Sequence, residues 1–499
     1  MINGHLPHLQ GEGTNRRYTM KYVIRTSVFF LVILASPLNA QFVEDALRLA
    51  APPTLISARS AGMGNAFVGL ANDASALYWN PAGLGQMRTS EFTFGLSNSG
   101  VSNQATLLGN TNTGSNRATS INNVQLALPF PVARGSFVLA AGYSRLVDYT
   151  SAMSVDAYNP WSSIQPSLYR DEEFLDMDFA WNLGLQDTLG QAHILNDVHQ
   201  TIDVLESGNL NLWSFGGSIE VAPNAMVGLA LNLVSGSYRY DRVFIERDVR
   251  NAHQGTIFGI DQFGRTDFQF LELEELIDQN LSGFNLRVGF LYNYRDRARV
   301  GASIQTASVI RVNEDFYKTG RSGFANDNMG YELSVYDINY TVTTPAVYTF
   351  GASYNPIDWA TIAGDVELVD YSDLEFSDAT FSTSALNRDI RRFFRATNNF
   401  RIGAEARIPS TELALRAGFG YRFSPFSEDE GKTEFDVTTF TAGASYSFEG
   451  AITLFATYMH STFNTFVRNY DDIFAPVDAV TTDQEITASR LLFGISYRF

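Results

Sequence analysis

The last ten residues, Arg490-Leu491-Leu492-Phe493-Gly494-Ile495-Ser496-Tyr497-Arg498-Phe499, leave room for few folds. Leu491, Phe493, Ile495, Tyr497 and Phe499 point one way while Arg490, Gly494, Ser496 and Arg498 point the other, as successive side chains of a strand do. A soluble chain rarely stops on its last apolar residue. The alternation recurs at Val227, Leu229, Leu231 and Leu233, at Phe284, Leu286, Val288, Phe290 and Tyr292, at Phe400 to Ile408, and at Leu413 to Tyr421. Each stretch has one apolar face and one of small or charged residues over roughly ten positions, the pattern of a strand that crosses a bilayer.

Fourteen such segments are expected, near 90–98, 120–129, 135–147, 210–221, 225–246, 282–294, 298–313, 331–354, 359–373, 397–408, 412–423, 435–448, 450–463 and 485–499. Long and short connections alternate between them. The short ones lie near 129–134 and at Ala222-Pro223-Asn224, Arg295-Asp296-Arg297, Asn355 to Asp358, Pro409-Ser410-Thr411 and Glu449-Gly450; the longest loop runs from about Asp148 to Asn209. Short periplasmic turns and long external loops predict an all-β, 14-stranded antiparallel outer-membrane barrel. Strand charges share parity with the small residues, which places Asp365, Glu367, Arg401, Glu405, Arg407, Arg416 and Arg422 in the lumen. A Lys or Arg facing lipid at mid-membrane costs about 2–4 kcal/mol. A soluble sandwich or propeller also alternates, but no internal repeat is visible.

The first 40 residues read as a targeting segment. Arg16, Arg17, Lys21 and Arg25 form a basic region, Val28 to Ala35 is apolar, and Ala40 precedes the expected cut at Gln41; Met20 is a possible true start. Beyond residue 40 the acidic residues outnumber the basic ones, which argues against a nucleic-acid partner. Cysteine is absent, so no disulfide or thiolate metal site exists. No later run of 18 apolar residues marks a membrane helix.

The expected domains are therefore 1–40 as a signal peptide, 41–88 as an N-terminal plug, and 89–499 as the barrel. From Ala61 to Gly83, ten residues are Gly or Ala, so no ordinary amphipathic face can form, and Pro81 holds Asn80 out of the helical region. Such a stretch suits a compact irregular plug. Fourteen strands enclose more space than side chains fill, since about eight already suffice for that.

Three clusters in this region resemble the FadL family of outer-membrane transporters for long-chain fatty acids and other hydrophobic compounds. They are Glu44-Asp45-Ala46-Leu47-Arg48, Ala58-Arg59-Ser60-Ala61-Gly62-Met63-Gly64 and Asn80-Pro81-Ala82-Gly83-Leu84. Thr344-Pro345 and Gly364-Asp365-Val366-Glu367 followed by Asp370-Tyr371-Ser372 look like its Bacteroidota branch. The resemblance implies a hatch closing the barrel from the periplasmic side, with Asn80, Pro81 and Ala82 as hatch residues and Gly62 and Gly64 as tight turns. It also implies capture of a fatty acid-like hydrophobic ligand among the external loops, passage to a pocket near the mature N-terminus, and exit through the hatch or sideways through the wall. Phe42 and Val43 are then candidate pocket residues. The family's carboxylate contacts have no counterpart that can be placed here, so Arg401 or Arg416 is the candidate partner for a ligand carboxylate, by fork geometry; the bland reading pairs them with Glu405, Asp365 and Glu367. Membrane lipid, lipopolysaccharide and, through Phe499, the barrel-assembly machinery are expected partners.

Other motifs fall away. Gly62-Met63-Gly64 lacks the third glycine and preceding strand of a dinucleotide site, and Gly431-Lys432-Thr433 lacks the first glycine of a phosphate loop. His193, His199, His253 and His460 form no ligand pair or hydrolytic motif, so neither enzyme chemistry nor a cofactor is expected. The acidic pieces Asp171-Glu172-Glu173 and Ser427 to Glu430 read as solvated surface. Phe268 to Leu281 carries apolar residues at helical spacing and is expected as a short loop helix, either packed on the loop cap or, with Phe174, Leu175, Phe179 and Trp181, lining an external capture site. The function expected is passive uptake of a hydrophobic molecule; the alternative is a barrel serving as shuttle or scaffold for secreted or surface proteins.

Overall fold

A computed structural model describes residues 43, 45–53, 56–168, 179–186, 192, 194–254, 257–258, 265–427, 435–472 and 475–499. The targeting segment, Phe42, Glu44, Asp171 to Leu175, His193 and 428–434 lie outside the described residues.

Fourteen barrel strands follow in chain order: β1 Glu91–Leu107, β2 Asn110–Phe130, β3 Phe137–Asp148, β4 Val198–Ala222, β5 Ala225–Arg247, β6 Phe268–Tyr294, β7 in two pieces Ala298–Gln305 and Val309–Phe324, β8 in two pieces Asn328–Thr343 and Val347–Ile357, β9 Ala360–Asp370, β10 Ala396–Arg407, β11 Leu413–Arg422, β12 Val437–Phe448, β13 Ile452–Arg468 and β14 Thr481–Arg498. Each pairs antiparallel with its neighbours, and β14 returns to β1 from Glu91↔Arg498 to Thr106↔Asp483, so the sheet has no open end. Closure pairs the main-chain groups that a bilayer would otherwise leave bare. Parity follows the sequence. On β6, Phe284, Leu286, Val288, Phe290 and Tyr292 face outward, 39–53 % exposed, while Asn285, Arg287 and Asn293 are buried in the lumen.

All six short turns fall where turn chemistry places them. Asn224, Ser410, Glu449 and Gly450 take positive φ in them, a conformation that closes hairpins with the right twist. β1, β2, β4, β5, β6, β13 and β14 run well past the roughly ten residues a bilayer needs, while β9 and β11 only just reach that length. The long loop expected between residues 98 and 120 is instead a continuation of β1 and β2, closed by Leu108 and Gly109 at φ +51° and +80°. The largest loop contains a strand, Ser151–Asn159, paired with the outer half of β4.

The expected helix at Phe268 to Leu281 is the outer half of β6, paired with β5 and β7. Leu271, Leu273, Ile277 and Leu281 are buried in alternation, with Glu275 and Gln279 between them on the same face. Polar residues on the buried face had disguised a period of two as a helical spacing.

β7 and β8 are each interrupted, at 306–308 and 344–346, where Pro345 cannot donate to the ladder. The Ser308 amide bonds the Thr344 hydroxyl at 3.1 Å and the Thr344 amide bonds the Ser308 carbonyl at 2.9 Å, bridging the break. Above it, the loop after β9 folds inward as helix α3 (Ser384–Phe393), burying Leu386 and Ile390. These join Tyr371, Leu374, Phe376 and Phe394 in an apolar cluster that continues down to Val43, Leu49 and the plug. A second cluster, including Phe179, Phe244, Phe268 and Phe324, fills the outer crown.

Candidate functional site

Residues 56–88 are almost wholly buried inside the barrel. Helix α1 (Ala58–Gly62) begins at Ser57, whose hydroxyl accepts the Ser60 amide at 3.1 Å, the usual satisfaction of a free helix N-terminus. Helix α2 (Ala76–Trp79) is followed by a 3-10 helix, Pro81–Gln86, with Asn80 as its cap and Pro81 in the first position, where a missing N–H costs nothing.

This hatch rests on the wall at three seats, each built from a pair of glycines that are register partners on adjacent strands. Gly228 of β5 opposes Gly289 of β6, Gly301 of β7 opposes Gly351 of β8, and Gly403 of β10 opposes Gly418 of β11. A Cβ on Gly228 would strike the Pro81 main chain and one on Gly289 would strike Asn80 Oδ1. On Gly301 it would come within 2.5 Å of Val68 O, and on Gly351 within 2.6 Å of Gly69 N. On Gly403 and Gly418 it would meet Met63 and Gly64. Gly64 itself needs its freedom: at φ +64°, a Cβ would lie 2.8 Å from Phe419 N. Gly62 has more room, with Arg416 Cδ at 3.2 Å and Thr457 Oγ1 at 3.3 Å from the same point. Strand glycines mark close backbone approach, and here the approaching backbone is the hatch.

Polar bonds complete each seat. Asn80 Nδ2 donates to Val68 O and to Phe290 O, both at 3.0 Å, while its Oδ1 accepts the Ala82 amide at 3.2 Å. Ser218 Oγ donates to Ala82 O at 3.0 Å. Asp365 Oδ2 accepts the amides of Phe67 and Val68 at 2.7 and 2.9 Å, charge-assisted bonds of the stronger kind. Thr441 Oγ1 donates to Gly62 O and accepts from Gly64 N, each at 3.1 Å.

An ionic group ties α1 to β10 and β11. Arg59 Nε meets Glu405 at 3.1 Å and its Nη1 meets Asp73 at 3.0 Å, with Arg416 Nε on the same Glu405 oxygen at 2.8 Å. Arg416 also donates to Ser445 at 3.0 Å. Arg401 pairs with Glu367, which Asn399 holds at 3.1 Å, and its guanidinium sits 5.4 Å from the centre of the Trp79 ring. Beside this group, between the hatch and the walls β1–β2 and β10–β14, lies a polar cleft of about 460 Å³ lined by Arg59, Asp73, Glu91, Glu405, Arg416 and Arg498.

Nearer the outside, Val43 is 7 % exposed within the apolar cluster. Arg48 lies 3.3 Å from the centre of the Tyr238 ring and 5.8 Å from that of Tyr149, pairs with Asp45 at 2.7 Å, and donates to Gln279 at 2.8 Å. Burial holds the Tyr149 phenol above its ordinary value, so the ring faces the guanidinium uncharged. Helical segment 45–49 is thereby locked beneath the crown. A small cavity of about 60 Å³ adjoins it, reaching Tyr78, Arg287, Ser308, Thr344, Pro345 and Tyr371.

Of the residues singled out from the sequence, Gly62, Gly64, Asn80, Pro81 and Ala82 all lie at hatch–wall contacts, and Arg416 joins α1 through Glu405. Arg401 lies at a different acid, Glu367. Arg59 and the six seat glycines were not singled out as site residues. The recurrent lumen-parity glycines of β5–β8, β10 and β11 were the signal.

A closed 14-stranded barrel with an apolar outer belt and an internal N-terminal plug is the architecture of a Gram-negative outer-membrane protein. Residues 48–499 match the family described as outer membrane protein transport protein (OMPP1/FadL/TodX), and the chain belongs to that family. A Pseudomonas aeruginosa FadL homologue superposes with a TM-score of 0.53 at 13 % identity, over 90 % of this chain and 99 % of that one. The P. putida toluene transporter TodX gives a TM-score of 0.53 at 14 % identity, over 90 % and 99 %. Both likenesses are of fold. No curated protein sequence matches the chain.

Proposed function

We propose that this protein carries hydrophobic small molecules passively across the outer membrane, with long-chain fatty acids the first class to test, and that the hatch is its gate. The observation that carries the reading is the hatch itself. It fills a lumen too wide for side chains to close, yet it is held by reversible contacts: three glycine seats, a few hydrogen bonds and one ionic group. The apolar cluster above it, from Phe394 and Ile390 down to Val43 and Leu49, offers an apolar solute a continuous surface once its members separate. The fold is shared with a FadL homologue and a toluene transporter, which supports an apolar cargo.

In this reading Arg401 and Arg416 hold the hatch and its surroundings in place, since Glu367 and Glu405 occupy them. Growth and radiolabelled uptake of a fatty-acid and aromatic-hydrocarbon panel in a deletion strain tests the proposal. A defect on at least one hydrophobic substrate, restored by the intact gene, is expected. The second reading, a scaffold for secreted or surface proteins, is favoured by the packing of both apolar clusters. No defect on any substrate together with co-purification of a secreted protein would replace the first reading with it.

A further inference from the structure

Beneath the outer crown, three carboxyl groups, Asp45, Glu206 and Glu314, gather around one guanidinium, that of Arg48. Arg48 pairs with Asp45 at 2.7 Å and donates to Gln279 Oε1 of β6 at 2.8 Å. Gln279 passes the link on, since its Nε2 donates to Glu314 Oε2 of β7 at 2.7 Å. Tyr340 of β8 donates to the same oxygen at 3.0 Å. Tyr238 of β5, whose ring faces Arg48, donates to Glu206 of β4 at 2.6 Å, and Tyr149 borders the guanidinium on a further side. Tyr238, Gln279 and Glu314 are register partners across three adjacent strands, so the wall presents them as one row. The next acid along this face, Glu275, is engaged separately by Arg242 at 2.8 Å and Lys318 at 3.2 Å.

The row lies above the membrane. Outward apolar residues end at Leu233 of β5 and Phe284 of β6. Beyond them the outward positions are Ser237 and Arg239 on β5, Asp278 and Asn280 on β6, and Asn313 and Asp315 on β7. Arg48 is committed to Asp45, and among the described residues Glu314 bonds only a neutral amide and a phenol. Burial pushes the Glu314 carboxyl up to about 7, and the Asp45 charge pushes the same way; Gln279, Tyr340 and Arg48 pull back only in part. Burial also holds the Tyr238 and Tyr340 phenols well above their ordinary value, so both remain donors. A buried carboxyl without its own counter-charge keeps its proton.

We propose that this row is a proton-operated latch on the N-terminal segment. Glu314 holds a proton while residues 45–49 are pinned and gives it to solvent when the segment lifts, so a rise in external pH frees the segment that leads into the hatch. Of the two charges the segment carries, Asp45 bears on Glu314 more strongly than Arg48 does, and lifting therefore relieves the ionised form. The pinned state binds more protons than the released one, in which water returns Glu314 toward its ordinary 4.5. Pinning is thus fully supported below about pH 4.5, weakens as pH rises, and has lost its whole increment above about pH 7. Between pH 5.5 and 8 the release equilibrium rises by roughly 25-fold when the freed carboxyl is fully solvated. The inference rests on the gate reading for its effect on transport and adds to it a control by external pH.

Hydrogen exchange of the full barrel in lipid nanodiscs, with no cargo present, tests the latch. Protection of peptides covering residues 45–53, corrected for the intrinsic exchange rate at each pH, should fall at least about tenfold from pH 5.5 to 8. Peptides from β12 and β13 should hold constant. Glu314→Gln keeps the shape of the side chain but cannot ionise, and should flatten the dependence to within about twofold. Asp45→Asn removes the repulsion and should move the midpoint to lower pH. Heat-modifiable gel mobility shows that each barrel has folded. Flat protection in the unmodified protein, or an unchanged dependence in Glu314→Gln, overturns the latch. That failure leaves the uptake reading standing, since no cargo enters the assay, and failure of the uptake panel in the deletion strain leaves the latch standing.

Discussion

Replacing Gly228 by Ala tests the seating of the hatch at a single atom. The added Cβ would lie 2.6 Å from Pro81 O and closer still to Pro81 C and Ala82 N, where ordinary contact begins at 3.4 Å. The Pro81–Ala82 backbone must therefore retreat by about 1 Å, an overpacking that costs about 1–3 kcal/mol. The retreat also stretches two bonds that fasten this segment to the wall, Asn80 Nδ2 to Phe290 O and Ser218 Oγ to Ala82 O, both 3.0 Å long. At about 1 kcal/mol each, the total is about 3–5 kcal/mol, or at least roughly a hundredfold in the hatch's release equilibrium. Hydrogen exchange of the purified barrel reads this directly. Peptides from residues 61–86 should exchange faster by about that factor, while the strands keep their protection. Gly364→Ala is the control, because its Cβ meets nothing nearer than Arg401 O at 3.6 Å, and it should change neither. Wild-type exchange of the hatch in Gly228→Ala, or equal loss of protection in the strands, would refute the seating argument.

Glu405→Gln should leave Arg59 and Arg416 facing each other across a neutral amide, at a cost of about 3–5 kcal/mol for a broken buried pair. The expected result is faster trypsin cleavage within the hatch at unchanged heat-modifiable mobility of the barrel; equal resistance would contradict it. Deleting residues 41–45 removes Val43 from the apolar cluster and Asp45 from Arg48, and should alter uptake without preventing barrel folding. Unchanged uptake would remove the N-terminal segment from the transport path.

Much of the barrel was legible because a lipid-facing side chain cannot be polar. Wherever a strand crosses the bilayer, one parity is apolar, as at Phe284 to Tyr292 or Leu413 to Tyr421, and the periplasmic turns carry residues that tolerate positive φ. Above the membrane that constraint ends. The outer half of β1, Ser99 to Leu107, is polar on its solvent face and has only Ala105 and Leu107 fully buried among its apolar residues, so its length was invisible. The outer half of β6 misled for a related reason: its buried face includes Glu275 and Gln279, which the lumen accepts and a dry core would not. The hatch was legible as a small-residue segment, but its seats were not, because Gly228 and Gly289 stand 61 positions apart and become one surface only through register. Arg59 was readable as a charge inside an apolar, glycine-rich stretch, but its partners were Glu405, on a strand more than 300 residues away, and the hatch's own Asp73.

The central claim is that the hatch must move for cargo to pass, and a disulfide tests it most directly. The chain contains no cysteine, and a Cβ built on Gly494 of β14 lies 3.4 Å from Ala58 Cβ of α1, close to the roughly 3.8 Å of a relaxed disulfide. In an Ala58→Cys, Gly494→Cys barrel, oxidation pins α1 to the wall. Uptake of radiolabelled palmitate should fall to the level of cells lacking the protein and return on reduction, with each single variant insensitive to oxidant. Uptake at the full rate with the disulfide quantitatively formed would show that cargo passes a stationary hatch, and the gate reading would be wrong.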